Sequence, residues 1–269
     1  EENIKEGAKS YGNPLVKSGL AVRNRIVGVI NQSLPEQQAG LLSGMLIGYR
    51  EGLSEDVQEA FSDAGLSHIM AVSGANVAFI AVPLLFVFKK MRLKQKASNI
   101  IVIGVLVFFT FITGFEPSVL RAVIMAVVVL AGQILRTEPD IYTSLAFAAM
   151  LLLLANPYTL FHIGFQLSFA ATLSLVLFSK NIKNLLHFKF LPGFIADVLA
   201  ATLAAQVGVL PISAFYFNKV SVISFLSNLI VVPVVEIITI AGSLMAILGQ
   251  FSLFLSRVIG YVNCTFLSF

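Results

Sequence analysis

The chain contains no tryptophan, one cysteine and three histidines, and charged residues fill only 12% of its 269 positions. One cysteine, Cys264, excludes an internal disulfide framework and any cysteine-rich metal site. Its neighbours Val262 and Phe266 suit simple packing. The histidines His68, His162 and His187 are scattered, with no His-x-His-x-Asp-His cluster, so no metal and no other cofactor is expected. No Gly-x-x-x-x-Gly-Lys-Ser/Thr string occurs, which excludes a built-in P-loop motor. The chain opens on Glu-Glu-Asn without a cleavable signal pattern, and is expected to be a fragment of a larger protein.

What remains is apolar. Hydrophobic residues make up 57% of the chain and the mean hydropathy is +0.90, while soluble domains carry about twice this charged fraction. The expected fold class is all-α: a polytopic helical membrane protein of about seven or eight transmembrane segments joined by short loops. Any aromatic belt must be built from Tyr and from the 23 Phe.

Candidate spans are 68–88, 99–114, 118–135, 141–156, 161–179, 194–217, 222–250 and 251–269. The segment from Lys89 to Lys96 holds five positive charges and no acid. The positive-inside rule makes loop 89–97 cytoplasmic, and alternation then places 136–140 and 180–193 inside as well. These three loops carry nine Lys/Arg, whereas 114–117, 156–160 and 218–221 carry only Lys219. Residues 1–65, with six Lys/Arg against nine Asp/Glu, fall outside. We divide the chain into 1–65, extracytoplasmic or interfacial amphipathic helices, and 66–269, a transmembrane channel domain. Pro233 marks 222–250 as a kinked span or a broken, re-entrant pair of half-helices.

In the first region Leu15, Val16, Leu20, Ile26, Val27 and Ile30 recur at helical spacing, as in an interfacial helix. Ser33-Leu34-Pro35-Glu36 reads as a capping box. The helix it opens carries Gly40, Gly44 and Gly48 on one face, a spacing that lets backbones approach closely. Its apolar part is too short to span, so it lies on the bundle or dips partway in.

Polar residues interrupt the spans. Arg121 stands one turn into 118–135, where an unsolvated charge costs about 3 kcal/mol or more. Its alternatives are snorkelling to headgroups and an ion pair with Glu116. The candidate path residues are His68, Ser73, Asn76, Arg121, Gln166, Thr202, Gln206, Ser213, Asn228 and Glu236. Capping by Ser67 puts His68 and Asn76 on one helical face. Gln166, Ala170 and Ser174 share another, and Ala201, Ala204, Gly208 and Pro211 form a small-residue seam for which ordinary helix packing is the favoured explanation. Glu236 could pair with Arg257, be protonated, or line a path.

The string Gly65-Leu66-Ser67-His68-Ile69-Met70-Ala71-Val72-Ser73-Gly74 resembles the signature of the ComEC/Rec2 family of competence proteins. Leu46 to Ser54, Pro117-Ser118-Val119-Leu120-Arg121-Ala122, Asn156-Pro157 and Gly164-Phe165-Gln166-Leu167-Ser168-Phe169 extend the resemblance in order, over roughly 36–250. It departs at Ala75-Asn76, where the family commonly has a bulky apolar residue and His, which puts any proton handling at 76 in doubt. The resemblance implies a channel in the bacterial cytoplasmic membrane that imports single-stranded DNA during transformation. It also implies flanking OB-fold and metallo-β-lactamase-like domains, neither visible here, and separate partners: an external DNA receptor and strand-generating nuclease, and a cytoplasmic ATPase or helicase. Anionic lipids contact the basic loops, and a homo-oligomer is left open. The chain is expected not to be an enzyme. Alternatives are a small-solute permease and, less well supported, an intramembrane serine hydrolase using Ser73 with His162 as base.

Overall fold

The computed structural model describes residues 13–49, 52–63, 66–70, 72–137, 140–186, 193–217 and 222–267. These are helical throughout, with no strand among them. Eleven α-helices follow in order: α1 Pro14–Ser33, α2 Glu36–Ile47, α3 Glu55–Asp63, α4 Gly74–Lys90, α5 Gln95–Ile112, α6 Pro117–Leu135, α7 Ile141–Ala155, α8 Ile163–Leu185, α9 Gly193–Phe217, α10 Val222–Leu248 and α11 Leu253–Leu267. The protein is a helical membrane protein. Helices α5, α6 and α8 and the stretch Leu199–Tyr216 of α9 are each long and apolar enough to cross a bilayer, and Ile141–Ala155 and Val234–Leu248 are shorter apolar helices.

The bundle is clad in side chains that water would reject and lipid accepts, among them Phe86, Leu135, Leu154, Phe251 and Phe254, all largely exposed. Its core runs without a break across residue 65, from Ile30, Leu42 and Met45 to Val102, Leu106, Val119 and Met245. We call the end where α4 begins and α5 turns into α6 the upper end. That turn needs two consecutive left-handed residues, Gly114 (φ 69°) and Phe115 (φ 62°). Glycine adopts this conformation freely, and Phe115 is held in it by its N–H bond to the Thr110 carbonyl.

Helices α1 and α2 form a hairpin packed on the bundle, α2 by its buried length and α1 by its C-terminal part. A side chain at Gly19 would strike Phe111 at the upper end of α5, whereas Ser33 meets Ser256 of α11, Oγ to Oγ, at 2.8 Å. Helix α2 then returns, and its left-handed cap Gly48 (φ 73°) packs against Val72. Leu15 and Leu20 are exposed, while Val29 and Ile30 are buried. Every residue of α2 from Ala39 to Ile47 is buried. The glycine spacing serves close approach as expected: Gly40 lies against the backbone of Gly52 and Gly44 against the Met70 carbonyl.

Two further local expectations are corrected, and one alternative is decided. The Ser33–Glu36 capping box does not form, because α1 continues through Ser33 and α2 is entered from Pro35 with no side-chain cap. The span expected from 68 does not begin there: Ser67–Met70 is a separate 3-10 turn, and α4 starts at Gly74 with Ser73 at its N-cap. Of the two forms expected for 222–250, the single span is the one observed, since α10 is one helix from Val222 to Leu248. A proline in a helix forfeits one hydrogen bond without necessarily ending it, and membrane helices tolerate the loss.

Helices α8 and α9 form a second antiparallel pair that packs more extensively within itself than against the bundle, which it meets through α6, α7 and α10. The pair closes on Gly208, where a Cβ would lie 2.6 Å from the Ala170 carbonyl and 2.9 Å from Ser174 Cβ. Ala196, Ala200 and Ala204 continue this seam at four-residue spacing and are buried. Lys183 and Asp197 pair at 2.5 Å at its lower end.

Candidate functional site at the upper end of the bundle

Arg121 organises this region. Pro117 opens α6 and fixes the first turn, so Arg121 sits four residues in, about 6 Å along the axis. Its Nε–H donates to Ser168 Oγ on α8 at 2.6 Å, and Nη1 lies 3.7 Å from Met125 Sδ. The guanidinium also stands over the Phe169 ring, 5.9 Å from its centroid, and Phe165 braces that ring at 4.3 Å. No carboxylate is paired with Arg121 among the described residues, so the expected alternative of an ion pair with Glu116 is not formed. A half-buried cation is thus held by a neutral hydroxyl, a thioether and an aromatic face, none of which cancels its charge.

The start of α4 lies directly beside it. A Cβ at Gly74 would be 3.2 Å from Arg121 Nη2, so only a residue without a side chain leaves this approach open. Ser73 is exposed at the N-cap and makes no cap hydrogen bond, so its hydroxyl does not satisfy the first-turn N–H groups of α4. Helix N-termini carry partial positive charge and orphan donors. Ser118 Oγ donates to the Val72 carbonyl at 2.7 Å and fixes the start of α6 against this strap. The assembled group is cationic and rich in donors: a guanidinium, two serine hydroxyls and a helix N-terminus. Such a set accepts an oxyanion.

The ten candidate residues do not share one surface. Asn76 is buried, and its amide donates to the carbonyls of Met45 at 2.7 Å and Leu46 at 3.3 Å, so it ties α4 to the end of α2 instead of lining a path. Gln166 donates to the Leu160 carbonyl at 2.9 Å and closes its own helix start. Ser174, with Ala170, is spent on Gly208. Thr202, Gln206 and Ser213 are half-buried on the side of α9 turned away from that seam. Pro211, expected in the seam, is exposed. Glu236 is exposed midway along α10, and Arg257 donates to the Gln32 carbonyl at 3.4 Å rather than pairing with it. The side chains of His68 and Asn228 lie outside the described residues, as does His187.

Ser73 has no base. His162 caps α8, its Nδ1 accepting the Gly164 N–H at 3.2 Å. No group of three or more metal-binding side chains occurs among the described residues.

Two contributors went unnamed in the sequence reading although its motifs contain them: Ser168 and Gly74. The signal was available in the serine and glycine that those motifs hold in fixed places, but the pairing is long-range and only folding reveals it. The same holds for two buried amides, Asn99 on the Leu130 carbonyl at 3.2 Å and Asn263 on the Ile238 carbonyl at 3.2 Å. With Asn76 they form a repeated device in which an asparagine donates to a neighbouring helix's carbonyl.

Fold and site together define a polytopic helical membrane protein with, at one end of its bundle, a cation that no acid among the described residues pairs with. The chain belongs to the ComEC/Rec2 family of competence proteins: the family model described as Competence protein matches residues 45–269. It is 31% identical over 229 residues to ComE operon protein 3 of Bacillus subtilis (strain 168), covering 85% of this chain and 29% of that protein. Recombination protein 2 of Haemophilus influenzae is 26% identical over 233 residues, 80% of this chain and 29% of that protein. A further relative, the uncharacterized protein YcaI of Escherichia coli (strain K12), is 23% identical over 257 residues, 88% and 33% of the two chains. The chain therefore spans about a third of the length of these relatives. No solved structure matches it.

Proposed function

We propose that this chain forms the part of a competence protein through which single-stranded DNA enters the cytoplasm across the bacterial cytoplasmic membrane. Family membership supports the link to DNA uptake. The observation that carries the reading is Arg121, held beside the start of α4 and paired with no acid among the described residues. Phosphate charge dominates nucleic-acid affinity, so an uncancelled guanidinium at an entrance favours a polyanion. The charge bias of the loops supports an orientation with loop 89–97 in the cytoplasm and the Arg121 end outside, where DNA arrives.

The role is passage, not catalysis. Net import then needs a cytoplasmic ATPase or helicase to pull the strand, and an external receptor to deliver it. Asn76 and Gln166 belong to the scaffold, which narrows the entry group to Arg121, Ser73, Gly74 and Ser168.

The experiment is transformation with Arg121→Lys and Arg121→Gln in the full-length protein, alongside membrane content of each variant. Lys keeps the charge but not the fork. Arg121→Gln is expected to reduce transformation at least tenfold at unchanged protein level, with Lys intermediate. Wild-type transformation by Arg121→Gln would remove this site from the route.

A further inference from the structure

Arg121 is held by the α8–α9 pair through its Nε–Nη2 edge, one of the two edges on which a guanidinium can fork an oxyanion. A guanidinium forks a phosphate through two parallel N–H bonds. On its Nε–Nη2 edge, Nε–H is already given to Ser168 at 2.6 Å, and Nη2 lies beside Gly74. A phosphate taken on that edge therefore displaces Ser168. The exchange is favourable, because a bond to an ionised acceptor is about twice as strong as one to a neutral hydroxyl.

We propose that Ser168 is a latch: phosphate binding at Arg121 frees the α8–α9 pair from the bundle and lets it move as one body. The inference rests on the reading of Arg121 as a phosphate contact, and it names how that contact is coupled to the fold. The pair is built to move as a unit. The Gly208–Ser174 seam and the Lys183–Asp197 bridge bind α8 to α9, while the pair packs less extensively on α6, α7 and α10. Phe169 stays with α8, so the ring leaves Arg121 together with Ser168. The occupant is a phosphate of single-stranded nucleic acid; free phosphate and lipid headgroups share its chemistry.

The test uses full-length protein in maltoside micelles, which carry no phosphate, on a Cys264→Ala background. Spin labels are placed at Phe86→Cys on α4 and Leu177→Cys on α8, both exposed positions. A control pair, Phe86→Cys and Ile101→Cys, lies within the bundle. An unlabelled single-stranded oligonucleotide is added, with inorganic phosphate and phosphatidylglycerol in separate arms, and oligonucleotide affinity is measured on the same samples. The oligonucleotide is expected to shift the 86–177 distance by about 2 Å or more, the scale of a genuine rearrangement, and to leave the control unchanged. Ser168→Ala should produce the shift without any ligand. A shift with lipid but none with oligonucleotide overturns the nucleic-acid assignment. Arg121-dependent binding of oligonucleotide at constant distance overturns the latch and leaves the entry reading standing. Binding that Arg121→Gln does not weaken overturns both.

Discussion

Replacing Asn76 by Ala measures what the buried asparagines contribute. The amide donates to two carbonyls in the last turn of α2, Met45 at 2.7 Å and Leu46 at 3.3 Å, and the side chain is 5% exposed, so water cannot take its place. Those carbonyls belong to the four at a helix end that have no intrahelical partner. The Gly48 and Tyr49 N–H groups serve those of Gly44 and Ser43, which leaves Met45 and Leu46 to Asn76. An unsatisfied buried acceptor costs about 1–3 kcal/mol, whereas interhelical bonds in membranes average nearer 0.6 with a maximum of about 1.7. Taking the shorter bond near that maximum and the longer near the average, we expect a loss of about 2 kcal/mol. The assay is reversible unfolding in mixed micelles or steric trapping. Asn76→Asp should be worse than Ala at neutral pH, because an ionised carboxylate can only accept and would face two carbonyl oxygens. Asn76→His, the residue common in the family here, keeps one N–H donor and should recover part of the loss. Stability of Asn76→Ala within 0.5 kcal/mol of wild type, on the order of measurement error, would refute the assignment, as would Asp exceeding Ala.

Other expectations are independent of this one. Gly40→Ala should cost at least the roughly 1–3 kcal/mol of an overpacked site, since its Cβ would lie 2.7 Å from the Gly52 carbonyl carbon. Gly28→Ala, with nothing within 4 Å, should gain up to about 1 kcal/mol from helix propensity, and the same unfolding assay checks both. Gly208→Ala should splay α8 from α9, and Ser174→Gly in the same chain should restore part of the loss, read as crosslinking between the two helices. Reversing Lys183 and Asp197 together should change stability by no more than about 0.5 kcal/mol, because the side chains are 41% and 55% exposed.

The spans from α5 to α9 were legible because apolar runs there alternate with turn residues, and structure and reading agree to within a few residues at most boundaries. Local signals failed where a longer-range demand won. Ser33 and Glu36 have capping-box spacing, yet Pro35 disfavours helix at Leu34, so Ser33 ends one helix instead of opening the next. Ser67 starts a 3-10 turn, and α4 begins only at Gly74, beside Arg121. The glycines of α2 announced close packing, but not that everything from Ala39 to Ile47 would be enclosed, since burial depends on α1 folding back along it. At the site, a lone arginine in an apolar run was conspicuous. Its hydroxyl partner was not, because one serine among many carries no signal until α8 is laid against α6. Of the polar residues read as one path, Asn76 and Gln166 serve as local ties, because an amide near an unpaired carbonyl is satisfied there.

The central claim is that the Arg121 end is open to DNA from outside, and Ser73, exposed at the start of α4, reports on it most directly. Ser73→Cys on the Cys264→Ala background changes one atom and can be labelled in whole cells with a membrane-impermeant thiol reagent. We expect labelling that single-stranded DNA slows and that an uncharged polymer of equal size does not. A thiol that stays unreactive, or that reacts equally fast in the presence of DNA, would contradict the account.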